Sequence, residues 1–546
     1  MRRVALRGMI GAAMIAVVTA TLALRSGESP LPTTRADGET VRVQILAVND
    51  LHGGLEPTRF GNTRAGGVAA LGAYLRAGRA REANTITVHA GDMIGGSPPI
   101  SALLRDEPAM TALDLMGIEV GTVGNHEFDR GLDELYRLVR GGCDAEGHCF
   151  PGVRVRYLAA NVIDEATGET IFPSFEVRTV DGVRIGFIGV TLRETGSIVL
   201  PSRVAGLRFL DEAEAVNRTV VELQAMGVRT IVVLLHKGGD GISGGVIEGE
   251  EFNRVVSAFD PEVDVVVSGH THRGYRGTID GRLVTQAYSR GTAFADIDLE
   301  IDRTTGDVVE KQAAIVNVFV GGLAPEPEPA LVALLEQAAA AVRPVVERVV
   351  GEASEDILRV PDTGAEDAVA NLVADAFRWA TGADIGCVNA GGWRADILAG
   401  PVTWGELFEV QPFGNELVTL TLTGAQLERV LNQQWTGQPT LRIMRCSGLV
   451  YGWDPALPED QRVTLANMFL GDGSPVEAER SYTVTVNNFL ADGGHDLTVL
   501  QESPTRVPGP SDMEALVAYV EQLPQPFTSR VEGRLRTPPP APPQLR

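Results

Sequence analysis

The 546 residues exceed what one ordinary hydrophobic core can hold, so two domains with extensions are expected. The 44% hydrophobic and 22% charged residues are typical of a soluble globular protein. The net charge of −24 argues against a nucleic acid polymer as partner. It does not exclude a small anionic ligand, because bound divalent metals can reverse the local field.

Residues 1–24 are predicted to be an export signal. Three arginines form its basic start: Arg2, Arg3 and Arg7. The apolar run Gly8–Leu24 follows, with cleavage expected around Ala20–Ala23. An uncleaved anchor is the alternative, because the run has the minimum length of a membrane span. The protein is therefore expected to be secreted, periplasmic or at the cell surface, with membrane contact only if the signal stays uncleaved. Residues 25–40 are predicted to be a linker.

The first strand is predicted over Val41–Val48, which alternates and then becomes wholly apolar, as a strand entering a buried sheet does. It leads into Asn49–Gly54. Asp50 and His52 are two residues apart, so on an extended segment their side chains point the same way. This spacing suits two ligands to one metal ion.

Further apolar strands end in the same manner. Ile86–Ala90 precedes Asp92, Thr230–Leu235 precedes His236, and Val263–Val267 precedes His270 and His272. Val183–Val190 is predicted as another buried strand, and helices are predicted over Met110–Met116 and Asp211–Met226. Because β-α alternation brings strand ends to one edge of a sheet, these polar residues are expected to converge.

The stretch Val123–Gly131 lies between a short strand and a predicted helix at Leu132–Val139. Asn125 offers an oxygen to a metal, His126 a titratable imidazole, and Asp129 a carboxylate that could orient that imidazole. The alternative is a polar helix start, with Asn as N-cap and Asp in the first turn. Recurrence of the pattern at the other strand ends favours a site.

Asp, His and Asn ligands without Cys suit borderline to hard divalent ions. Some seven ligands exceed one tetrahedral set, so two ions (Zn, Mn or similar) sharing a carboxylate are predicted. Such a pair lowers the pKa of bound water toward about 7 and needs no protein nucleophile.

Four cysteines fit an oxidising compartment. A disulfide between Cys143 and Cys149 is favoured over a metal site that would also use His148. Nothing in the sequence says whether Cys387 and Cys446 pair.

The second half of the chain begins after three predicted antiparallel strands, Leu283–Ala287, Ala295–Ile301 and Val308–Val320. A helical pattern over Ala330–Val350, interrupted by Pro344, is predicted to connect two domains. The second domain has a predicted helix at Asn371–Ala380. Residues 537–546 are predicted to be a Pro-rich tail.

Several motifs together resemble a known family. Five of them resemble those of the metallophosphatase superfamily: Asp50-Leu51-His52, Gly91-Asp92, Gly124-Asn125-His126-Glu127, His236 and Gly269-His270-Thr271-His272. Three later ones resemble the C-terminal domain of secreted 5′-nucleotidases: Asn389 to Arg394, Pro412 to Asn415, and Asn488 to Gly494. The resemblance spans about Val41 to Gly533. It implies an α/β fold class, with an αββα sandwich over 41–322, a connecting helix over 323–350, and a mixed α/β substrate-binding domain over 351–536.

The resemblance also implies roles. Asp50, His52, Asp92 and His272 would hold one metal, and the other would be held by Asn125, His236, His270 and the bridging Asp92. His126 would be the catalytic imidazole, oriented by Asp129. Phe413 and Phe489 would sandwich a nucleobase, with further substrate contacts from Asn389, Arg394, Asn415 and Asp496. For each Phe, core packing is the alternative.

Two departures from the family pattern concern the substrate. The family commonly has an arginine before the helix that holds Asn371, whereas this chain has Thr363–Glu366 there and Arg359 as the nearest base. After the Gly-Gly pair the family has Asp, whereas this chain has His495 and then Asp496. The preferred nucleotide therefore stays open.

The implied function is an exported hydrolase that releases phosphate from nucleoside 5′-monophosphates, with di- and triphosphates or nucleotide sugars as further substrates, by attack of metal-activated water. Alternatives are a cyclic-nucleotide or sulfur-ester hydrolase on the same scaffold, or a non-catalytic nucleotide-binding surface protein. No metal ligand is missing, which favours the enzyme. The sequence gives no indication of the oligomeric state.

Overall fold

The computed structural model describes residues 40–145, 147–322, 324–360, 364–438 and 441–536. The predicted signal, the linker up to residue 39, Thr363 and the Pro-rich tail lie outside them. The strands of the three main sheets are numbered in chain order: β1 Thr40–Val48, β2 Thr85–His89, β3 Val120–Thr122, β4 Arg156–Leu158, β5 Phe175–Val180, β6 Val183–Thr191, β7 Thr230–His236, β8 Val263–Ser268, β9 Gly274–Ile279, β10 Arg282–Ala287, β11 Ala293–Asp302, β12 Val308–Asn317, β13 Ile385–Val388, β14 Glu416–Thr423, β15 Arg445–Ser447, β16 Ser481–Asn487 and β17 Arg506–Ser511.

The α-helices are described by their bounds: Val68–Arg79, Pro99–Ala102, Glu107–Met116, Leu132–Arg140, Thr195–Ile198, Glu212–Ala225, Glu250–Ser257, Pro329–Val346, Ala368–Thr381, Trp404–Val410, Gly424–Asn432, Asn488–Ala491 and Asp512–Gln522. Short strand pairs add to these, among them Thr58–Phe60 with Thr63–Ala65 and Val349–Ala353 with Gly400–Thr403.

The first two sheets contain six strands each. Their orders are β12-β11-β1-β2-β3-β4 and β5-β6-β7-β8-β10-β9. Strands β1 to β4 run parallel in the first sheet, and β6, β7, β8 and β10 run parallel in the second. The carboxyl ends of these parallel strands carry the motifs singled out in the sequence.

The two sheets pack face to face, with helices on both outer surfaces. Strand β1 illustrates the two-residue period of a sheet: Val43 and Ile45 point into the core between the sheets, while Leu46 points into the core shared with the outer helices. Val232 and Val233 of β7 alternate in the same way. The αββα sandwich expected from the resemblance is confirmed.

The late strands differ in part from their prediction. β11 and β12 form the expected antiparallel hairpin. β10 lies in the other sheet, where the antiparallel prediction holds for its pairing with β9, whereas its pairing with β8 is parallel. All six residues of β10 are buried, as is usual for a strand covered on both faces, and its short apolar pattern did not reveal its partner.

The helix predicted over Ala330–Val350 spans Pro329–Val346 and continues through Pro344. Residues Val349–Ala353 form a strand instead. Among the described residues this helix is the one that is long and apolar enough to cross a membrane, with a mean hydropathy of 1.4. This follows from length and composition only, and a core helix of a soluble protein passes the same test. Leu331, Ala338 and Val342 pack into the core formed with the outer helices of the first sheet.

The C-terminal sheet has the order β15-β13-β16-β14-β17. Cys387 of β13 and Cys446 of β15 are register partners and form a disulfide, a pairing that the sequence left open. The predicted bond between Cys143 and Cys149 is confirmed.

Candidate metal centre and active site

Five of the predicted ligands have an unusual backbone conformation. Their φ angles are all positive: Asp50 51°, His52 46°, Asp92 54°, His270 75° and His272 55°. For residues with a side chain, holding such a conformation costs of the order of 1–3 kcal/mol, and such residues cluster at functional sites. The strand ends are therefore held in turns that aim these side chains at one place.

Asp50, His52 and His272 form a first group of converging ligand atoms. Nε2 of His52 lies 3.0 Å from Nε2 of His272. Oδ1 of Asp50 lies 3.5 Å from Nε2 of His272 and 3.9 Å from Nε2 of His52. Two imidazole lone pairs and a buried carboxylate so close together require a proton or a cation between them.

Asp92, His236 and His270 form a second group, which Asn125 joins. Oδ2 of Asp92 lies 3.0 Å from Nε2 of His236. Oδ1 of Asn125 lies 3.2 Å from Nε2 of His236 and 3.0 Å from Nδ1 of His270. The same Asp92 oxygen is also 3.6 Å from Nε2 of His52 in the first group, so one carboxylate lies between the two groups.

The hydrogen bonds of the histidines fit metal ligation. Nδ1 of His52 lies 2.8 Å from the Gly95 carbonyl, and Nδ1 of His236 lies 2.7 Å from the Ala90 carbonyl. Carbonyls only accept, so each Nδ1 carries a hydrogen, and in its neutral form each ring turns its Nε2 lone pair toward the site.

Electrostatics distinguish these histidines. Burial holds the pKa of His52 well below its usual range, so this ring is neutral. Burial also opposes the charge on His236, but Asp92 and Asp50 outweigh it and raise its pKa to about 9. Asp92 and Asp50 thus favour a positive charge at this place. A bound divalent cation would supply that charge in place of the proton on His236. The Asp, Asn and imidazole donors fit such ions.

Glu127 is a residue of the site to which the sequence analysis gave no role. Its buried carboxylate accepts hydrogen bonds from the backbone N–H groups of Asp92 and Met93, both at 2.8 Å, and of Gly124 at 2.5 Å. Burial and the charge of Asp92 raise its pKa to about 7, against the effect of these donors. Glu127 thereby ties the turn that carries Asp92 to the turn that carries Asn125, and its only sequence signal was its place in the motif.

Asn49 has a similar part at the first strand end. Its Nδ2 donates to Oδ2 of Asp50 and to the Tyr288 carbonyl, both at 2.7 Å. Its Oδ1 accepts from the Ala287 N–H at 2.9 Å. Asn49 therefore links the Asp50 turn to the loop after β10.

His126 lies beside both groups. Its Nδ1 is 2.8 Å from Oδ2 of Asp129, and its backbone N–H donates to Oδ1 of Asp92 at 2.8 Å. Burial lowers the pKa of His126, but Asp129 and Asp92 outweigh it and raise the pKa. His126 also has a ring nitrogen within reach of ligand atoms of His52 and Asp92, so geometry alone permits it as a ligand.

A cavity of about 280 Å³ adjoins His126. Its walls include Asp129 and Arg130 from the first half of the chain and Phe413 and Gly414 from the second. The Phe413 ring lies 5.9 Å from the His126 ring at an interplanar angle of 10°, and Cζ of Arg394 lies 5.8 Å from the Phe413 centroid. Phe413 and Arg394 are thus brought to the metal centre.

The other four predicted substrate residues are placed differently. The side chain of Asn389 accepts from Asn487, and that of Asn415 donates to Asp512 at 3.1 Å. Phe489 is 8% exposed and belongs to the apolar core of the C-terminal sheet, with its ring edge-on to His495. Asp496 is exposed. For Phe489 the structure thus shows the core packing that was the alternative reading, because the short helix Asn488–Ala491 directs its ring inward.

Two family models match the chain. Residues 43–274 match the calcineurin-like phosphoesterase model, and residues 349–502 match the 5′-nucleotidase C-terminal domain model. A solved structure, the 5′-nucleotidase precursor from Thermus thermophilus, is 28% identical with a TM-score of 0.79 and covers 91% of this chain and 99% of its own.

Two curated relatives are more similar in sequence. The endonuclease YhcR of Bacillus subtilis is 36% identical over 92% of this chain, which spans 41% of that relative's length. The cell wall protein Lmo0130 of Listeria monocytogenes is 33% identical over 92% of this chain and 70% of its own length.

Proposed function

The chain belongs to the 5′-nucleotidase family of calcineurin-like phosphoesterases, and on that premise we propose that it is an exported, metal-dependent hydrolase that releases phosphate from nucleoside 5′-monophosphates. The observation that carries the proposal is the pair of ligand groups that meet at Asp92, with the His126–Asp129 pair beside them. The proposed division of the chain is a phosphoesterase domain over 41–322, a connecting helix over 323–350 and a substrate domain over 351–536.

Two divalent ions are proposed for the site. Asp50, His52, Asp92 and His272 would hold one, and the other would be held by Asn125, His236, His270 and the shared Asp92. When bound, such ions supply Lewis-acid activation of water and neutralise charge on the phosphoryl group. The tautomers of His52 and His236 and the carboxylate of Glu127 prepare the ligands for this.

His126 is proposed as the general acid that gives its Nε2 proton to the leaving oxygen, or stabilises that oxygen by a hydrogen bond. The 2.8 Å contact with Asp129 supports this role, because it holds the ring in one orientation and favours its protonated form. Since Phe413 and Arg394 lie next to His126, the leaving nucleoside is proposed to lie against them. Asn389, Asn415, Phe489 and Asp496 are proposed as further substrate contacts.

The proposed location is outside the cytoplasm, in the periplasm, at the cell surface or in the medium. Its supports are the basic and apolar run at residues 1–24 and the relative named a cell wall protein. Membrane contact is proposed only for an uncleaved signal.

A phosphodiesterase acting on nucleic acid is the second candidate, because one relative is named an endonuclease. The net charge of −24 weighs against it, since polynucleotide binding relies on cationic surfaces.

The experiment is hydrolysis of a substrate panel, with phosphate release and chromatography of the other products as readouts, with and without chelator and with single-metal add-back. The panel contains AMP, ADP, ATP, a nucleotide sugar, a 2′,3′-cyclic nucleotide, a sulfur ester and a single-stranded oligonucleotide. The proposal expects AMP hydrolysis that chelator abolishes and a divalent metal restores. Chelator-resistant hydrolysis, or cleavage of the oligonucleotide alone, contradicts it.

A further inference from the structure

Three arginines, Arg290, Arg359 and Arg394, lie near one another, and Arg394 also lies near His52 and His126 of the candidate site. Burial lowers the pKa of Arg394 to about 10, and the charges of Arg290 and Arg359 contribute to this, while Asp92 and Asp129 oppose it. Arg359 donates from Nη1 to the carbonyl of Trp393, next to Arg394, at 3.1 Å. The charges of Arg290 and Arg359 therefore act on Arg394, which itself interacts with Asp92 and Asp129 of the candidate site.

Arg290 comes from the phosphoesterase half of the chain, in the loop after β10. Its backbone N–H donates to the carbonyl of Asp50 at 2.7 Å, so its position is fixed directly to a proposed metal ligand. Its φ is 54°, and that of Tyr288 is 53°. A side chain on Gly54 would come within 3.2 Å of the Arg290 Cα, so Gly54 leaves room for this approach. The fold thus holds an arginine in an unfavourable conformation at this place, which is typical of functional positions.

The guanidinium of Arg290 has no hydrogen bond and no ion pair with any residue that the structure describes. Burial lowers the pKa of Arg290. The charge of Glu409 acts to raise that pKa, and repulsion from Arg359 lowers it further. Glu409 is the acid that acts on Arg290, yet no oxygen of it comes within the 4.0 Å of an ion pair. A partly buried cation beside two others, without a partner, is unfavourable unless an anion joins it.

We propose that Arg290 is a substrate-binding residue, whose guanidinium binds the phosphate group of the substrate ester together with Arg394. A planar guanidinium can donate two parallel hydrogen bonds to phosphate oxygens, a geometry that lysine cannot reproduce. The anion then receives donors from both halves of the chain, Arg290 from one and Arg394 from the other. This inference rests on the proposed hydrolase function, in that the anion is its phosphate substrate or product.

The experiment uses the full-length mature protein loaded with metal, as wild type and as Arg290→Gln, Arg290→Lys and Arg276→Gln. Arg276 is an exposed arginine on β9 and serves as the matched control. Inorganic phosphate is titrated calorimetrically into each protein, and kcat and KM are measured for AMP and p-nitrophenyl phosphate. Metal content and Tm are recorded for every variant.

Arg290→Gln is expected to weaken phosphate binding and raise KM for both substrates about 10- to 100-fold, the range for a charge-assisted hydrogen bond. kcat should change much less, and Arg290→Lys should recover only part of the affinity. Arg276→Gln should match the wild type. Unchanged phosphate affinity in Arg290→Gln overturns the proposal.

Two other results are also decisive. If Arg290→Gln does not fold or loses metal, the Lys variant decides, and wild-type phosphate affinity in that variant overturns the proposal. If the wild type hydrolyses no ester, the hydrolase function fails, while the phosphate titration still tests Arg290 separately.

Discussion

The ring of Phe413 lies parallel to the imidazole of His126, with ring centroids 5.9 Å apart. Phe413 follows the helix Trp404–Val410 of the second half, whereas His126 follows β3 of the first. One face of Phe413 is therefore directed at the proposed general acid. A nucleobase stacked on Phe413 must therefore use the opposite face of the ring. A change at Phe413 is then expected to affect both His126 and the bound substrate.

The first prediction separates His126 from the metal ligands. His126→Ala is expected to retain the wild-type metal content and to lose about 10²- to 10⁴-fold in kcat, the range for general acid–base groups. Asp92→Asn should lose metal from both positions, because Asp92 contacts both ligand groups. Elemental analysis after desalting, with single-turnover kinetics, measures both effects. Loss of an ion from His126→Ala would make His126 a ligand.

The second prediction concerns Phe489, which is both a core residue and a proposed base contact. Phe489→Ala is expected to destabilise the fold by about 3–5 kcal/mol, as for other buried Phe residues. Phe489→Leu keeps most of the volume and removes the aromatic face. It should lower kcat/KM for AMP roughly five- to 150-fold, from a stacking energy of about 1–3 kcal/mol.

Hydrolysis of p-nitrophenyl phosphate by Phe489→Leu should be nearly unchanged, because that substrate has no nucleobase. Phe413→Leu is the contrasting variant and should slow both substrates, since Phe413 also contacts His126. Equal losses on both substrates for Phe489→Leu would argue that Phe489 acts only through the core.

The third prediction is that Glu127→Gln lowers metal affinity about 10- to 100-fold, as the loss of residues behind metal ligands does. The backbone N–H groups of Asp92, Met93 and Gly124 donate to the Glu127 carboxylate. In Gln the amide NH₂ replaces one of the two accepting oxygens, so a donor then faces these donors. Competition with a fluorescent chelator measures the affinity. Asp133→Asn, an exposed position on the next helix, is the control and should behave as wild type. An unchanged affinity in Glu127→Gln would refute the anchoring role.

The fourth prediction is a pH dependence of stability from Asp512. Burial raises the pKa of this carboxyl from 3.8 to about 7, against hydrogen bonds from Asn415 and Met513. Between these values the folded protein binds a proton that the unfolded chain has released, so the unfolding free energy falls as pH rises from about 4 to about 7. The slope from this group is at most about 1.4 kcal/mol per pH unit.

Asp512→Asn cannot titrate, so its stability relative to the wild type should increase across this range and then level off. Urea unfolding of both proteins from pH 5 to pH 8 measures the difference, with the exposed Asp460→Asn as control. Parallel curves for wild type and Asp512→Asn would show that Asp512 has no raised pKa in the folded protein.

The fifth prediction concerns the N-terminus. Protein recovered from the culture medium or the periplasm should lack roughly its first two dozen residues, as a signal with Arg2, Arg3 and Arg7 at its start implies. Intact-mass measurement locates the cut, expected around Ala20–Ala23. An intact Met1 in a soluble cytoplasmic pool would contradict export.

The residues proposed as metal ligands could be identified because they lie at or just after the ends of apolar strands, a relation that is local in sequence. Asp50, Asp92 and His236 illustrate it, and the structure places them in neighbouring groups of ligand atoms that share His52 and Asp92. That two sheets pack face to face was predicted from the family resemblance and not from local sequence patterns. Strand β10 shows why: its parallel pairing with β8 is a long-range contact that its own short sequence does not encode.

Contacts between distant segments had no local signal. The stacking of Phe413 on His126 and the bond between Cys387 and Cys446 depend on how the whole second half folds. The burial of Phe489 could not be predicted from its Gly- and Asn-rich turn, because burial depends on the neighbours that the rest of the chain brings to it. Arg290 belongs to no recognised motif. Its link to Asp50 is a hydrogen bond between backbone groups, which any residue type can make, so the sequence carries no signal for it.

The ligand set is assembled from turns far apart in the chain, and 220 residues separate Asp50 from His270. A polypeptide that is unfinished or unfolded therefore lacks the complete set of proposed ligands, because the last of them are placed only after β8 has joined the second sheet. If the proposed export signal carries the chain across the membrane before it folds, this order has a biological consequence. Hydrolytic capacity would arise only after translocation, where the ions of the outer compartment fill the site, and the nucleotide pool of the producing cell would be spared.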